Sequence, residues 1–507
     1  MKVVFRVDAS DEIGTGHLMR CLTLAKAIKT APCSKIMFVC RNLPEYLQRI
    51  IFDNHFELYN LDSSCAHDLS KENRHSAWLG VSQKKDAQEV QKVLAQETYD
   101  WMVVDHYALD YRWESIIQQE VKKILVIDDL ADRNHFCSAL LDQNIYPEMK
   151  VRYKGKVPHN CKLFLGPKYV LLGSDFVIMR QYVKKRERIV KNILVSFGGA
   201  DLENNTGRVL EALMLANIND LNITVVVGRR HRFIREIQQV CVDNNYTFYV
   251  QTNKMADLIC KADLAIGSGG ISTYERLYLG LPALLKPISF NQKEVLTYMS
   301  SIGLFDIYDT QQVLIQKLRK IVENNTLPPD CIEEGSKKIL KFLLNESTVL
   351  KSPSSFDIRR TYKWLQDDQL RKDFCLSEKP TRSVHFKYWR ELMDSHNQKA
   401  YSIVYSGEHI GNCGLKNINY QTKDCELWVY IANTSFRGCG IASNVIKKLL
   451  SISRNKFNCT SVYLHVAKEN STAINLYKKF DFVLSDEPFE KHPLFLNFEV
   501  LFMRRNI

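Results

Sequence analysis

The chain begins with an apolar, β-branched run, Val3–Val7, that ends at Asp8 and passes through a loop holding Gly14 and Gly16. A short apolar run with no polar alternation reads as a strand covered on both faces, the situation of a parallel sheet between helices. Leu18, Cys21, Leu22, Ala25 and Ile28 then recur at i, i+3, i+4 and i+7, the stripe of an amphipathic helix. Strand, glycine turn and helix together commit this region to an α/β fold. In open α/β sheets ligands bind outside the carboxyl ends of the strands, so the turn faces the expected site. Gly14 and Gly16 let the backbone approach a ligand, and the helix start offers free N–H groups and partial positive charge. His17 stands at that start. The helix field disfavours a charged imidazole, so His17 is expected to be neutral near pH 7 and able to accept a proton. Its simpler role would be that of a polar helix-start residue.

The same alternation continues to about Tyr182. Ile36–Cys40, Asp100–Asp105 and Ile124–Ile127 read as further strands, and the last two run into Asp105-His106 and Asp128-Asp129. Polar residues at strand ends mark a ligand cleft, which makes Asp105 and His106 site candidates; Asp128 and Asp129 serve equally well as helix N-caps. KKRERIVK, Lys184–Lys191, is a charged connector to a second lobe. There Ile193–Asp201 is a buried strand ending in the double glycine Gly198-Gly199. Leu264–Ile266 ends in Gly267-Ser268-Gly269-Gly270, with a helix from about Ile271 that stops near Gly280 and Pro282. A glycine-rich turn entering a helix is a cradle for a diphosphate. It is neither a dinucleotide fingerprint nor a Walker A loop. Glu275, in about the first turn, can accept both hydroxyls of a ribose or simply complement the helix dipole.

After residue 328 the pattern thins into NESTVLKSPSSF, whose Ser and Asn content reads as a linker. The expected organisation is residues 1–182 and 183–345 as two α/β lobes, 346–355 as linker and 356–507 as a third domain. Within the third domain Ala400–Tyr405, Ile410–Leu415 and Glu426–Ile431 read as strands. Arg437, Gly438, Gly440 and Ala442 then form an R-x-x-G-x-A turn at the head of an amphipathic helix, where successive backbone N–H groups can wrap a pyrophosphate.

The 507 residues suit roughly three domains, and 45% hydrophobic with 25% charged content is ordinary for a globular chain. No apolar run approaches the ~18–20 residues of a membrane span, and Arg6 and Asp8 interrupt any signal-peptide core. The fourteen cysteines include no CxxC pair and read as reduced structural thiols, so the chain is expected to be cytoplasmic, with no membrane association. No His or carboxylate cluster has metal-ligand spacing, and no metal is expected. The net charge of +12 suits nucleic acid or anionic small molecules. With no RNA- or DNA-binding module signature, the expectation is nucleotide diphosphates and coenzyme A rather than nucleic acid. Oligomeric state is not legible.

Asp8, Gly14, Gly16, His17, Met19, Arg20 and Cys21, together with FLGPKYVLL at Phe164–Leu172, resemble the UDP-2,4-diacetamido-2,4,6-trideoxy-β-L-altropyranose hydrolases of pseudaminic acid biosynthesis, which are similar to GT-B glycosyltransferases. Glycines before Tyr274-Glu275, with Pro282, Asn291 and Gln292 beyond, resemble the nucleotide half of that family and of the lipid-linked N-acetylglucosaminyltransferase of peptidoglycan synthesis. The resemblance implies two Rossmann-like lobes in a GT-B arrangement. It places the uridine ribose on Glu275 and the phosphates near Gly270, Ser272 and Thr273, with Gly199, Gly269, Asn291 and Gln292 around them. Asp11 and Arg20 would orient the sugar. Asn470, Ala473 and Leu476 to Phe482, after the strand Val462–Val466, complete a resemblance of residues 356–507 to the GCN5-related N-acetyltransferases, an α+β (GNAT) fold. That implies acetyl-CoA on Arg437–Ala442, its pantetheine arm at Asn470, and Tyr477 protonating the departing thiolate. Asp481 departs from the glycine many members carry there. Glu426 is the candidate base for the amine, through water.

Together the resemblances imply one chain that acetylates the 4-amine of a UDP-4-amino-4,6-dideoxy sugar and then removes UDP, with His17 activating water and no metal taking part. Three alternatives stay open. They are a GT-B glycosyltransferase with a sugar or lipid acceptor, the same fusion acting on another amino sugar, and a UDP-sugar sensor without turnover.

Overall fold

The computed structural model describes residues 1–507 except 11, 32, 62–72, 96, 184–189, 200, 219, 325–334, 374–377 and 486–498, and for 290, 291, 321–324, 372 and 373 the backbone alone. The charged connector expected at Lys184–Lys191 lies largely outside the described residues. Two compact units emerge, Lys2–Thr30 with Ser34–Leu340 in one and Lys341–Ile507 in the other.

The first unit holds two parallel sheets. One contains β1 (Lys2–Val7), β2 (Lys35–Arg41), β3 (Glu57–Leu61), β4 (Tyr99–Asp105), β5 (Val121–Ile127), β6 (Ala139–Asp142) and β7 (Lys162–Leu165), in the order β3-β2-β1-β4-β5-β6-β7. The apolar runs are buried as expected, with every residue of β4 out of solvent. The other contains β8 (Asn192–Ser196), β9 (Asn222–Val227), β10 (Thr247–Val250), β11 (Leu264–Ser268), β12 (Ala283–Lys286) and β13 (Asp306–Ile307), in the order β10-β9-β8-β11-β12-β13. Both are doubly wound, and each reverses direction once, at β1/β4 and at β8/β11. The crevice of such a sheet opens at that reversal. The Gly14–His17 turn and Asp105 follow β1 and β4; the Gly198-Gly199 and Gly269-Gly270 turns follow β8 and β11. All four segments singled out from the sequence therefore flank the two crevices. β11 runs two residues further than expected and takes in Gly267 and Ser268.

The second unit has a mixed sheet of β14 (Thr348–Lys351), β15 (Lys399–Tyr405), β16 (Glu408–Asn419), β17 (Asp424–Ile431), β18 (Ser461–Ala467), β19 (Val483–Leu484) and β20 (Val500–Asn506), ordered β14-β15-β16-β17-β18-β20-β19. The stretch 346–355 is not a free linker. Its Thr348–Lys351 segment pairs antiparallel with β15, Thr348 opposite Tyr405 and Lys351 opposite Ser402. Thr-Val-Leu-Lys is a strand-forming run that the surrounding Ser and Asn residues disguise. β17 and β18 are parallel neighbours over Asp424–Glu426 and Ser461–Tyr463 only, although both strands continue. Beyond Glu426 that edge of β17 is left without strand partners among the described residues. The fold is thus α/β, two Rossmann-like lobes followed by an α+β domain of GNAT type.

Candidate functional site

In the first lobe, the helix Gly16–Lys29 carries His17 and Arg20 on its first turn and buries both. Gly14 closes the preceding loop by donating its N–H to Ser10 O at 2.8 Å, and Gly16 is the exposed first residue of the helix. Asp105, at the end of β4, lies 2.6 Å from His17 Nδ1 through Oδ1. Arg20 donates Nη2 to that same oxygen and Nε to Oδ2, each at 2.6 Å. Against the pull of burial, Arg20 and His17 hold the Asp105 carboxyl well below the usual carboxylate range. A fixed carboxylate facing Nδ1 keeps the proton on that nitrogen and directs the Nε2 lone pair outward. The Tyr107 ring meets the His17 ring edge-on at 4.6 Å, and Trp78 stacks on Tyr107 at 5.7 Å. A cleft of about 340 Å³ beside the turn is lined by Ser10, Ile13, Asn42 and Trp78 among others.

His106 does not join this group. Its Nδ1 accepts the Ala108 N–H at 3.1 Å and its Nε2 lies 3.1 Å from Asp8 Oδ2, deep in the fold. Asp8 is itself buried under Arg6 and accepts the Arg41 N–H at 2.7 Å, so both residues hold the loop rather than face a ligand. Asp11 lies outside the described residues.

In the second lobe, Gly270 caps the helix Ile271–Tyr278 and is exposed, Ser272 is half-buried, and Gly199 is exposed at the end of β8. Gly269 is packed so closely that a Cβ there would stand 2.5 Å from Leu296 Cδ1. Thr273 is buried, and its hydroxyl accepts the Gly270 N–H at 3.1 Å, an internal cap rather than an open ligand. Glu275 is the fifth residue of the helix, at the end of its first turn. Burial pushes its carboxyl up to about 7, with Arg276 pulling the other way. Arg276 turns inward and donates to Ser268 O and Ser196 O, both at 3.1 Å, tying the ends of β11 and β8 together. The Gln292 side chain accepts the Ile288 N–H at 3.0 Å and so holds its own loop; the Asn291 side chain is outside the described set.

Sequence reasoning overlooked Tyr107, Trp78 and Asn144, assigned no role to Tyr274 beside Glu275, and left Asp129 undecided. Asp129 takes the Tyr107 hydroxyl on Oδ1, and on Oδ2 Arg20 Nη1 at 3.1 Å and Asn144 Nδ2 at 3.3 Å. A tyrosine two residues past the candidate Asp105 was the one available signal.

In the second unit, Gly438 and Gly440 both adopt left-handed backbone, φ +78° and +81°, just ahead of the helix Ile441–Phe457. That conformation aims consecutive N–H groups into one concavity, which only residues without Cβ enter at no steric cost. Arg437 is exposed beside it, with Nε donating to Ile431 O at 3.1 Å, and Ala442 is half-buried in the first helical turn. Tyr477 is buried in the helix Ser471–Lys478, and burial pushes its hydroxyl up to about 12. Asn470 is that helix's N-cap, its side chain accepting the Ala473 N–H at 3.0 Å. Asp481 has φ +58°, the left-handed region in which glycine is at ease and Asp is tolerated. Glu426 is no isolated base. Its Oε1 lies 3.0 Å from both His465 Nδ1 and Lys416 Nζ, and Oε2 accepts Asn417 Nδ2 at 3.0 Å. Against burial, His465 and Lys416 hold its carboxyl below the ordinary range, which makes it a weak proton acceptor.

Residues 192–342 match the glycosyltransferase family 28 C-terminal domain and residues 358–482 match the acetyltransferase (GNAT) family. An uncharacterized protein of Methanocaldococcus jannaschii is 22% identical over 506 residues, covering 95% of this chain and 96% of its own length. The UDP-2,4-diacetamido-2,4,6-trideoxy-beta-L-altropyranose hydrolase of Campylobacter jejuni is 26% identical over 307 residues, 60% of this chain and 97% of that protein. The crystal structure of the Campylobacter jejuni N-acetyltransferase PseH covers 32% of this chain and 98% of its own, at 18% identity and a TM-score of 0.24. Among the described residues no helix is long and apolar enough to cross a membrane. The chain is a fusion, similar over 60% of its length to that sugar-nucleotide hydrolase and carrying a GNAT-family acetyltransferase domain at residues 358–482.

Proposed function

We propose that this protein works on one UDP-sugar in two steps: the GNAT domain acetylates the 4-amine of a UDP-4-amino-4,6-dideoxy sugar with acetyl-CoA, and the two front lobes then hydrolyse the UDP-2,4-diacetamido-2,4,6-trideoxy-β-L-altropyranose to free sugar and UDP. The observation that carries the second step is the His17–Asp105 pair at the β1/β4 crevice. An imidazole held at Nδ1 by a buried carboxylate is placed to take a proton from water at Nε2. The water oxygen attacks the anomeric carbon, His17 Nε2 receives the proton, and the bond from that carbon to the diphosphate oxygen breaks with inversion. UDP leaves with the bonding electrons, and the positive N-terminal end of the helix Ile271–Tyr278 stabilises its charge. Glu275 accepts the ribose hydroxyls.

For the first step, Gly438, Gly440, Arg437 and Ala442 fit the pyrophosphate of acetyl-CoA, and the open edge of β17 beyond Glu426 suits a linear arm of amides. The amine nitrogen attacks the thioester carbon and gives up its proton to water, the carbon–sulfur bond breaks, and Tyr477 hands its proton to the thiolate and regains one from solvent. Glu426 orients His465 rather than taking the amine proton itself. Tyr477→Phe is expected to slow acetyl transfer by about 10²-fold and to leave UDP release from the diacetamido substrate unchanged. Following CoA thiol and UDP in parallel checks both.

The Glu275 carboxyl, at about 7, is half protonated near pH 7. Ribose hydroxyls donating to it favour the ionised form, so binding lowers its pKa and releases a proton. Affinity for uridine, which has no phosphate to titrate, is expected to rise between about pH 5.5 and 7.5 and then level off. Calorimetry in buffers of different ionisation enthalpy should show proton release at pH 7. Glu275→Gln should abolish both effects.

The overall reading is tested by incubating the protein with UDP-4-amino-4,6-dideoxy-β-L-N-acetylaltrosamine, with and without acetyl-CoA, under NMR. UDP should appear only after acetyl transfer. Acetylation with UDP still attached would mark the front lobes as a transferase awaiting an acceptor, and no reaction would point to another amino sugar.

A further inference from the structure

The helix that carries Glu275 and the pair that carries His17 stand on different lobes, yet an unbroken run of side chains joins them. Tyr274, the residue before Glu275, is buried and donates its hydroxyl to Asn144 Oδ1 at 2.8 Å, across 130 positions of sequence. With its oxygen so occupied, Asn144 presents Nδ2 to Asp129 Oδ2 at 3.3 Å. From Asp129 two branches reach His17. One passes through Arg20 to Asp105 and on to Nδ1. The other runs through the Tyr107 hydroxyl, whose ring packs edge-on against the imidazole. Arg20, Asp105, Asp129 and Tyr107 are all buried, so each polar group depends on the partner beside it.

We propose that Tyr274 and Asn144 are positioning residues that couple uridine nucleotide bound at Glu275 to the orientation of His17. This rests on the reading of Glu275 as the ribose carboxylate. The logic is that of amide polarity. Asn144 has one acceptor end and one donor end: Asp129, an acceptor alone, takes Nδ2, and the Tyr274 hydroxyl holds Oδ1 in place. Without that hydroxyl the amide oxygen loses its donor, and the side chain can rotate away from Asp129. Arg20 would then redistribute between Asp129 and Asp105, and His17 would lose its fixed partner. A nucleotide that settles the helix Ile271–Tyr278 therefore settles the base as well, and any such coupling acts equally in both directions.

The test uses the full chain. Tyr274→Phe removes one oxygen and keeps the ring, and Asn144→Ala removes the amide without touching the second lobe. Each is expected to lower kcat for UDP release roughly threefold to thirtyfold, with the Kd for UDP and the KM nearly unchanged. The double variant should lose no more than either single one. In wild-type protein, UDP should shift the His17 ring resonances, assigned by their loss in His17→Asn, and it should fail to shift them in Tyr274→Phe. Unchanged kcat, additive losses, or His17 resonances that ignore UDP in the wild type would each overturn the proposal. Absence of UDP release by the wild-type chain would count against the hydrolase reading instead, because the resonance shifts decide the coupling without turnover.

Discussion

His17→Asn is expected to lower UDP release by about 10²–10⁴-fold while acetyl transfer continues at the wild-type rate. Asparagine can still offer an N–H toward Asp105, so the buried carboxylate is not stranded. Arg20 keeps its two 2.6 Å contacts to the same group, which neutralise it in either variant. What disappears is a nitrogen lone pair with a proton affinity matched to neutral water. UDP binding, which the reading places on the second lobe, should persist at similar affinity. That retained binding is the control for folding. The measurement is a single reaction followed for two products, the acetylated UDP-sugar and free UDP. The acetylated UDP-sugar should accumulate. Equal loss of both activities in a protein that still binds UDP would mean that the two reactions share a site.

How much of this was legible in the sequence depends on distance along the chain. The turn from β1 into the helix Gly16–Lys29 was readable because strand, glycines and helix stripe are contiguous, and the same holds for the approaches to Gly270 and Gly440. The α/β class followed from the alternation, and the two Rossmann-like lobes from the resemblance. The partner of His17 did not, because Asp105 is 88 positions away and an acidic residue at a strand end looks alike whether it caps a helix or grips an imidazole. Asn144 left no local trace, and Tyr274 showed only as the neighbour of Glu275. The opposite ambiguity lies at His106, Thr273, Gln292 and Asn470. Each is a polar residue in the right turn, and each is occupied by a neighbouring backbone N–H. Buried N–H groups must find acceptors, and the nearest short polar side chain is recruited to them. That demand produces the same residue types as ligand binding does. Glu426 shows a third case, where the strand position was right but Lys416 and His465, which lower its basicity, become neighbours only in the folded sheet.

Asp105→Asn is expected to reduce UDP release by roughly 10³–10⁴-fold, nearly as much as removing His17, although Asp105 never touches the water. Oδ1 of Asp105 serves both His17 Nδ1 and Arg20 Nη2, and Oδ2 serves Arg20 Nε. An amide has one acceptor for these donors. With its oxygen toward Arg20 Nε, its N–H₂ faces His17 Nδ1, which must then accept. The imidazole proton moves to Nε2, and the lone pair that should receive the water proton is gone. With the oxygen toward His17 instead, the N–H₂ opposes the Arg20 guanidinium and pushes it off. The first orientation gives the wrong tautomer, and the second keeps the tautomer but displaces Arg20. Arg20 keeps Asp129 as a counter-charge at 3.1 Å, so the buried cation is not left alone, and the folding penalty should stay below the ~3–5 kcal/mol of a fully unpaired buried charge. Thermal unfolding and UDP affinity establish that the variant is folded, so the loss of kcat reports on the base. An Asp105→Asn enzyme with wild-type kcat would leave His17 without the partner on which its role as base depends.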